Sequence, residues 1–368
     1  MIELGNITRS IDGQFYNEAG GIIELERLIS NFNRPLIITG HKSFEAFKKS
    51  YKSHNKKLLE YPLLKYDHSS SEENILELVE KAKKYNSDII VAIGGGKLID
   101  TAKGVADRLN IDIATIPTVI SNCAAVTPLG VVYDKNNCFL RFDYFKRSGF
   151  LCIVDYELLL DSPIEYFIGG ICDTIAKWYE AEAITRQYDI TTLPALVQVG
   201  LATAKVSKEI LLKDAQKAVN ALKNKEINEE FKRVVDTVFA VAGYVGSQAG
   251  QYGRISGAHA IHNGLTQFSE TNSIQHGVKV SYGVLVQLVY TKDYDEVKKL
   301  IKFYKENGYI YSWNQLGIKT DFEVAAKKVA EYSSSDKESF KLIDSNINSE
   351  KVYQAIVKLE GIVGNLEL

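Results

Sequence analysis

Three of the six histidines in this 368-residue chain fall within 18 residues: His259, His262 and His276, in AHAIHNGLTQFSETNSIQHG. Imidazole is the commonest metal ligand and the only side chain that titrates unperturbed near neutral pH. His259 and His262 are three positions apart, so a helical segment would carry both on one face. His276 opens a further segment as His276-Gly277. Two imidazoles and one carboxylate make a three-ligand site with a position left for substrate, which is the catalytic form of a metal centre. Asp173 is the best candidate for the acid. It stands in an apolar helix-like run, IGGICDTIAKWYEAEA, where an unpaired carboxylate is costly. The plainer reading makes Asp173 a cap or a partner of Lys177 one turn on, and His262 a satisfied core histidine.

A second stretch, Gly94-Gly95-Gly96-Lys97, stands where an apolar strand hands over to a helix. Without Cβ atoms, such glycines let backbone N–H groups approach a phosphate, and the helix adds its positive N-terminal end. The plainer reading is a tight turn that needs positive φ. The run is not GxGxxG, since Ile99 stands where the third glycine would be, and no GxxxxGK[ST] occurs.

The surrounding pattern positions both stretches. Residues 19–32 carry apolar positions at helical spacing, 35–39 (PLIIT) read as a buried strand, and Ser43 is placed to cap the helix that follows. Residues 71–86 read as an amphipathic helix with Ser70 and Glu73 at capping-box spacing. Strands follow at 89–93, 111–118 and 149–155, with a hairpin at 131–142 around Asp134–Asn137. Strands alternating with helices predict a parallel sheet covered on both faces. From 163 onward nearly everything reads as helix, including 163–185, 191–222, 228–250, 277–291 and 349–363, with a polar loop at 333–336. The expectation is an α/β domain over 1–160 and an all-helical domain over 161–368.

Composition narrows the class of function. A net charge of −2 leaves no basic footprint for nucleic acid or an anionic membrane. No apolar run reaches a transmembrane length, and MIELGNITRSIDG lacks the apolar core of a signal peptide. Cys123, Cys138, Cys152 and Cys172 form no CxxC and no disulfide framework. A cytoplasmic enzyme with a small-molecule substrate is the expectation.

Four stretches together resemble the iron-containing alcohol dehydrogenase and glycerol dehydrogenase superfamily, which shares its fold with dehydroquinate synthase. They are GGGKLIDTAK (94–103), PTVISNCAAVTPLGVVYD (117–134), GGICDTIAKWYEA (169–181) and GAHAIHNG…QHG (257–277). The resemblance implies an N-terminal nucleotide-binding domain, a helical metal- and substrate-binding domain, a nicotinamide cofactor and a divalent metal in the cleft between them, and assembly into homo-oligomers. It implies Asp173, His259 and His276 as metal ligands, and Gly94, Gly95, Gly96, Lys97 and Asp100 as the pyrophosphate loop. Thr118, Ser121, Thr127, Leu129 and Tyr133 match positions that line the cofactor, and His262 matches a second histidine near substrate, here a proton relay. Ferrous members carry another histidine four residues after the aspartate. Lys177 stands there instead, which implies the three-ligand, zinc-type branch.

Two departures bear on substrate and cofactor. Glycerol dehydrogenases have an aspartate in the substrate loop where this chain has Cys123. A carboxylate suits a polyol but repels an anionic substrate, and a neutral cysteine removes that repulsion. NCAAVTPL with DTIAKWYEA is most like the hydroxycarboxylate dehydrogenase A branch, which implies reduction of 2-oxo acids such as 2-oxoglutarate or 2-oxobutanoate. Lys177 or Arg254 is then placed to pair with the substrate carboxylate. After PLIIT, where NAD-dependent relatives place an acid against the ribose, this chain has Gly40-His41-Lys42. Loss of the acid beside a lysine favours NADP, with NAD as the alternative. The rival activity is NAD-linked oxidation of glycerol or another polyol.

Overall fold

The computed structural model describes residues 7–11, 13–51, 57–66, 70–134 and 139–367. Its strands are β1 (Phe15–Glu18), β2 (Pro35–Thr39), β3 (Leu63–Lys65), β4 (Ile89–Gly94), β5 (Asp112–Pro117), β6 (Leu129–Tyr133), β7 (Phe139–Tyr144) and β8 (Leu151–Asp155). The earlier helices are α1 (Leu25–Leu28), α2 (His41–Ser50), α3 (Glu72–Lys83), α4 (Gly96–Leu109), α5 (Tyr156–Leu159), α6 (Ile164–Thr185) and α7 (Ala195–Asn224). The later ones are α8 (Glu229–Asp236), α9 (Ala242–Ala249), α10 (Gly257–Leu265), α11 (His276–Tyr290), α12 (Tyr294–Asn307), α13 (Phe322–Ser333) and α14 (Ser349–Glu367).

Two compact units result: Met1–Phe167 with Lys217–Ser247, and Ile168–Gln216 with Gln248–Leu368. The first holds a parallel sheet in the order β1-β8-β5-β4-β2-β3 and a separate β6-β7 hairpin. Every residue of β2, β4 and β8 is buried. Apart from Thr39 at the end of β2 and Asp155 at the end of β8 these strands are apolar, as strands of a parallel sheet covered on both faces are. Ile37, Val91, Ile93, Ile116 and Ile153 belong to one core cluster with Ile22, Leu25 and Phe47.

Segment 217–247 groups by sequence with the later helices but packs with the first unit. Phe231 meets the rings of Tyr156 and Phe167 edge-on, at 6.4 and 5.7 Å. Asp236 accepts hydrogen bonds from Tyr156 Oη at 2.9 Å and Asn17 Nδ2 at 2.8 Å. Burial pushes the Asp236 carboxyl up to about 6. A folded-state pKa above the unfolded value of ~3.9 favours folding at low pH, and that contribution is lost as pH rises through about 6. We expect Asp236→Asn to gain stability relative to the parent between pH 4 and pH 7, by at most ~3 kcal/mol. Thermal melts of both proteins across that range check this, and parallel curves would refute it.

Several local expectations need correcting. Residues 19–32 form only a 3-10 turn at Gly21–Glu24 and the single turn α1, since a short amphipathic pattern nucleates a long helix poorly. Ser71, not Ser70, caps α3 by accepting from the Asn74 N–H, while Ser70 Oγ donates to the Val131 carbonyl. Gly40 is the N-cap of α2, and Ser43 sits inside the first turn, where its Oγ accepts from the Gly40 N–H. The run 228–250 is broken by a π turn at Thr237–Val241. Ser333, expected in a loop, ends α13 and donates to the Ala260 carbonyl at 3.0 Å. Strands β1 and β3 escaped the pattern because each is short and lies at a sheet edge. His54, His68, Cys138 and the turn at 135–138 lie outside the described residues.

Candidate metal centre

Helix α6 carries Asp173, Lys177 and Glu180 at positions i, i+4 and i+7, so one helix face presents all three. All are buried. Helix α10 supplies His259 and His262, and His276 is the first residue of α11. Glycine lets these helices close up. A Cβ on Gly277 would lie 1.9 Å from the Gly169 carbonyl oxygen of α6, and one on Gly283 would lie 2.2 Å from the Ala258 carbonyl oxygen of α10. We expect Gly277→Ala to force α11 off α6, at a cost of about 1–3 kcal/mol or more. Thermal unfolding checks this, and an unchanged Tm would refute it.

His259 Nε2 lies 3.4 Å and His276 Nε2 lies 3.3 Å from the same atom, Asp173 Oδ1. One ligand atom from each of the three residues falls within 4.8 Å of the others. A tetrahedral metal with ordinary Zn–N and Zn–O bonds separates its ligand atoms by about 3.3 Å. Asp173 Oδ1 is buried and makes no hydrogen bond, an orphaned acceptor that a cation would satisfy. The His276 side chain is 47% exposed, so the cluster is open on its side. The residues therefore fit a divalent cation with an accessible position.

Electrostatics favour the same guest. Burial alone would raise the Asp173 carboxyl, but the two imidazoles and the Lys177 ammonium outweigh it and hold the group well below the usual range. Burial alone would lower the His259 imidazole, but Glu180 and Asp173 raise it to about 9. Sequence reasoning missed Glu180. Its Oε2 lies 2.8 Å from His259 Nδ1, while its Oε1 accepts from the Ser256 and His259 N–H groups at 2.6 and 3.0 Å. The signal was its seven-residue spacing from Asp173 on one helix face.

His262 lies beside His276 rather than among the three ligand atoms. Its Nε2 is 3.0 Å from His276 Nδ1, and its Nδ1 is 3.0 Å from Asn263 Oδ1. Burial, then the neighbouring His276, Lys279 and His259, pull its pKa well down. Lys177 Nζ donates to the Arg254 carbonyl at 3.1 Å, which joins the two residues expected near a substrate carboxylate.

In the first unit, β4 ends at Gly94 and α4 begins at Gly96. None of Gly94, Gly95 and Gly96 has positive φ, so the turn does not require glycine for its backbone angles. The N-cap of α4, Gly95, makes no side-chain cap hydrogen bond, and the positive N-terminal end of the helix favours an anion there. Lys97 Nζ stands 4.7 Å from the centre of the Tyr133 ring. Burial, then Asp100, pushes Tyr133 up to about 12. The Thr118 N–H donates to the Gly94 carbonyl. Asp100 faces inward: it pairs with Lys103 Nζ at 2.8 Å and accepts from the Val131 N–H at 3.0 Å. Lys103, also missed by sequence reasoning, donates to the Ala124, Thr127 and Leu129 carbonyls. It thereby pins the loop that carries Ser121 and Cys123, both half-buried. At the end of β2, His41 and Lys42 are exposed, and the first turn of α2 holds no acidic residue.

Comparison with known proteins follows the same lines. The family model described as iron-containing alcohol dehydrogenase matches residues 13–155. Hydroxycarboxylate dehydrogenase A of Escherichia coli is 32% identical over 290 residues, 79% of this chain and 79% of its own. Glycerol dehydrogenase of Thermotoga maritima is 28% identical over 361 residues, 95% of each chain. The crystal structure of a probable glycerol dehydrogenase from Sinorhizobium meliloti superposes with a TM-score of 0.85 at 25% identity, covering 96% of this chain and 98% of that one. The expected α/β and all-helical architecture is the fold of that structure. No helix among the described residues is long and apolar enough to cross a membrane.

Proposed function

This chain belongs to the iron-containing alcohol dehydrogenase family and is an oxidoreductase, and on that premise we propose that it reduces 2-oxo carboxylic acids to 2-hydroxy acids with NADPH at a zinc centre. The observation that carries the reading is the Asp173–His259–His276 cluster, with its orphaned buried oxygen and ligand spacing. Bound there, a divalent cation supplies a Lewis acid for the substrate carbonyl, and a nicotinamide supplies the two-electron reduction.

The chain's own residues do the rest. Asp173, His259 and His276 hold the cation, with Lys177 standing where a fourth ligand would be. The family's name points to iron, and the three-ligand set supports zinc. With a cation bound, Glu180 would keep the hydrogen of His259 on Nδ1, which would leave Nε2 to hold the cation. Lys177 and Arg254 supply the positive charge that an anionic substrate requires, and Cys123 adds no opposing charge. Gly94, Gly95, Gly96 and Lys97 receive the cofactor's pyrophosphate at the start of α4. Thr118, Ser121, Thr127, Leu129 and Tyr133 line the cofactor, and Asp100 with Lys103 holds their loop in place. Gly40, His41 and Lys42 accept a 2′-phosphate, because no acid in the first turn of α2 opposes it. The chain works as a homo-oligomer in the cytoplasm.

Initial rates with 2-oxobutanoate, 2-oxoglutarate and glycerol, each with both nicotinamides, test the reading. Turnover of a 2-oxo acid with NADPH preferred over NADH by about tenfold or more in kcat/KM is expected. Glycerol oxidation with NAD and no reduction of 2-oxo acids would replace it with the polyol reading, which the likeness to glycerol dehydrogenases favours.

A further inference from the structure

We propose that Glu338, acting through Asn263 and His262, is a positioning residue that sets the tautomer of His276 for metal binding. The inference rests on the metal centre proposed above and goes beyond it, because none of these three residues touches the cation.

Four side chains stand in series. His276 Nε2 faces Asp173, and His276 Nδ1 is 3.0 Å from His262 Nε2. His262 Nδ1 is 3.0 Å from Asn263 Oδ1. Asn263 Nδ2 donates to both Glu338 carboxylate oxygens, at 3.2 and 3.0 Å. His262 and Glu338 are buried, each 8% exposed.

The polarity of this chain follows from its far end. Asn263 Nδ2 reaches both Glu338 oxygens, and a carboxyl group offers an accepting oxygen in either protonation state, so the Asn263 amide presents its NH2 group to Glu338 and its oxygen to His262. That oxygen only accepts, so the hydrogen of neutral His262 sits on Nδ1. His262 Nε2 is then an acceptor, and His276 Nδ1 must donate to it. His276 is left with an unprotonated Nε2, the atom facing Asp173 and the form a metal requires. Glu338 thus does for His276, at a distance of three hydrogen bonds, what Glu180 does directly for His259. It follows that His262 is occupied in holding His276 and does not relay a proton to substrate.

The test loads zinc alone into metal-stripped, ¹⁵N-histidine-labelled protein. Nitrogen chemical shifts give the tautomer of each histidine, and competition with a chelating dye gives zinc affinity. The wild type is expected to show hydrogen on Nδ1 of both His276 and His262. Asn263→Leu and Glu338→Gln are expected to weaken zinc binding by about 10–100-fold and to disturb the His276 nitrogens more than those of His259. Folded variants that bind zinc as the wild type does would overturn the proposal. So would hydrogen on Nε2 of His262 in the wild type, a readout that stands even if both variants fail to fold. A wild type that binds no zinc would instead overturn the metal centre itself.

Discussion

Replacing Asp173 by asparagine is expected to leave the protein folded and empty of metal, with turnover lower by about 10³-fold or more. The side chain keeps its shape, so the packing of α6 is undisturbed. What changes is the atom that both imidazoles face. Asp173 Oδ1 is buried, lacks a hydrogen bond and lies 3.3 and 3.4 Å from two Nε2 atoms. A neutral amide oxygen there is a poor ligand for a dication, and the amide alternative points a donor at the cation. Metal content by mass spectrometry and steady-state rates check this. An Asp173→Asn protein with full metal and full turnover would remove the carboxylate from the account.

Glu180→Gln is expected to be nearly as severe, although Glu180 contacts no substrate. Three donors converge on its carboxylate: the Ser256 N–H, the His259 N–H and His259 Nδ1. Glutamine has one oxygen to offer and must place its NH2 group at one of the two positions. If the oxygen keeps the two backbone N–H groups, the NH2 faces His259 Nδ1 and drives the ring hydrogen onto Nε2, where the metal should bind. If the amide is reversed, two buried N–H groups meet a donor, at a cost of about 1–3 kcal/mol for each group left unpaired. Either way zinc affinity falls, by about 100-fold. Excess zinc is expected to restore part of the rate, a response that a general folding defect would not give. Zinc affinity equal to that of the parent would contradict the positioning role.

The sequence carried the frame of this site but not its supports. PLIIT and IIVAIG are almost wholly apolar runs, so their burial within a parallel sheet could be read directly. His259, His276 and Asp173 stand out by residue type and surroundings, and the structure brings one ligand atom from each within 4.8 Å of the others. Glu180 and Glu338 look like ordinary acids in WYEAEA and SSSDKES. Their roles depend on which buried donor each one meets, and only the packing of α6 on α10 and the turn after α13 decides that. His262 was legible only in part: its spacing from His259 suggested a shared helix face and the resemblance implied a proton relay, but the second imidazole it meets is His276, 14 residues on. Lys103 stands three positions after Asp100, a spacing that the sequence does show, but its hold on the Ala124, Thr127 and Leu129 backbone carbonyls is one that no side-chain pattern reports.

The most direct test of the account is a zinc titration of chelator-stripped protein, followed by the rate of NADPH oxidation with 2-oxobutanoate. No turnover is expected in the stripped protein, followed by a linear rise that saturates at one zinc per chain. Full turnover in protein shown to be free of metal would contradict it.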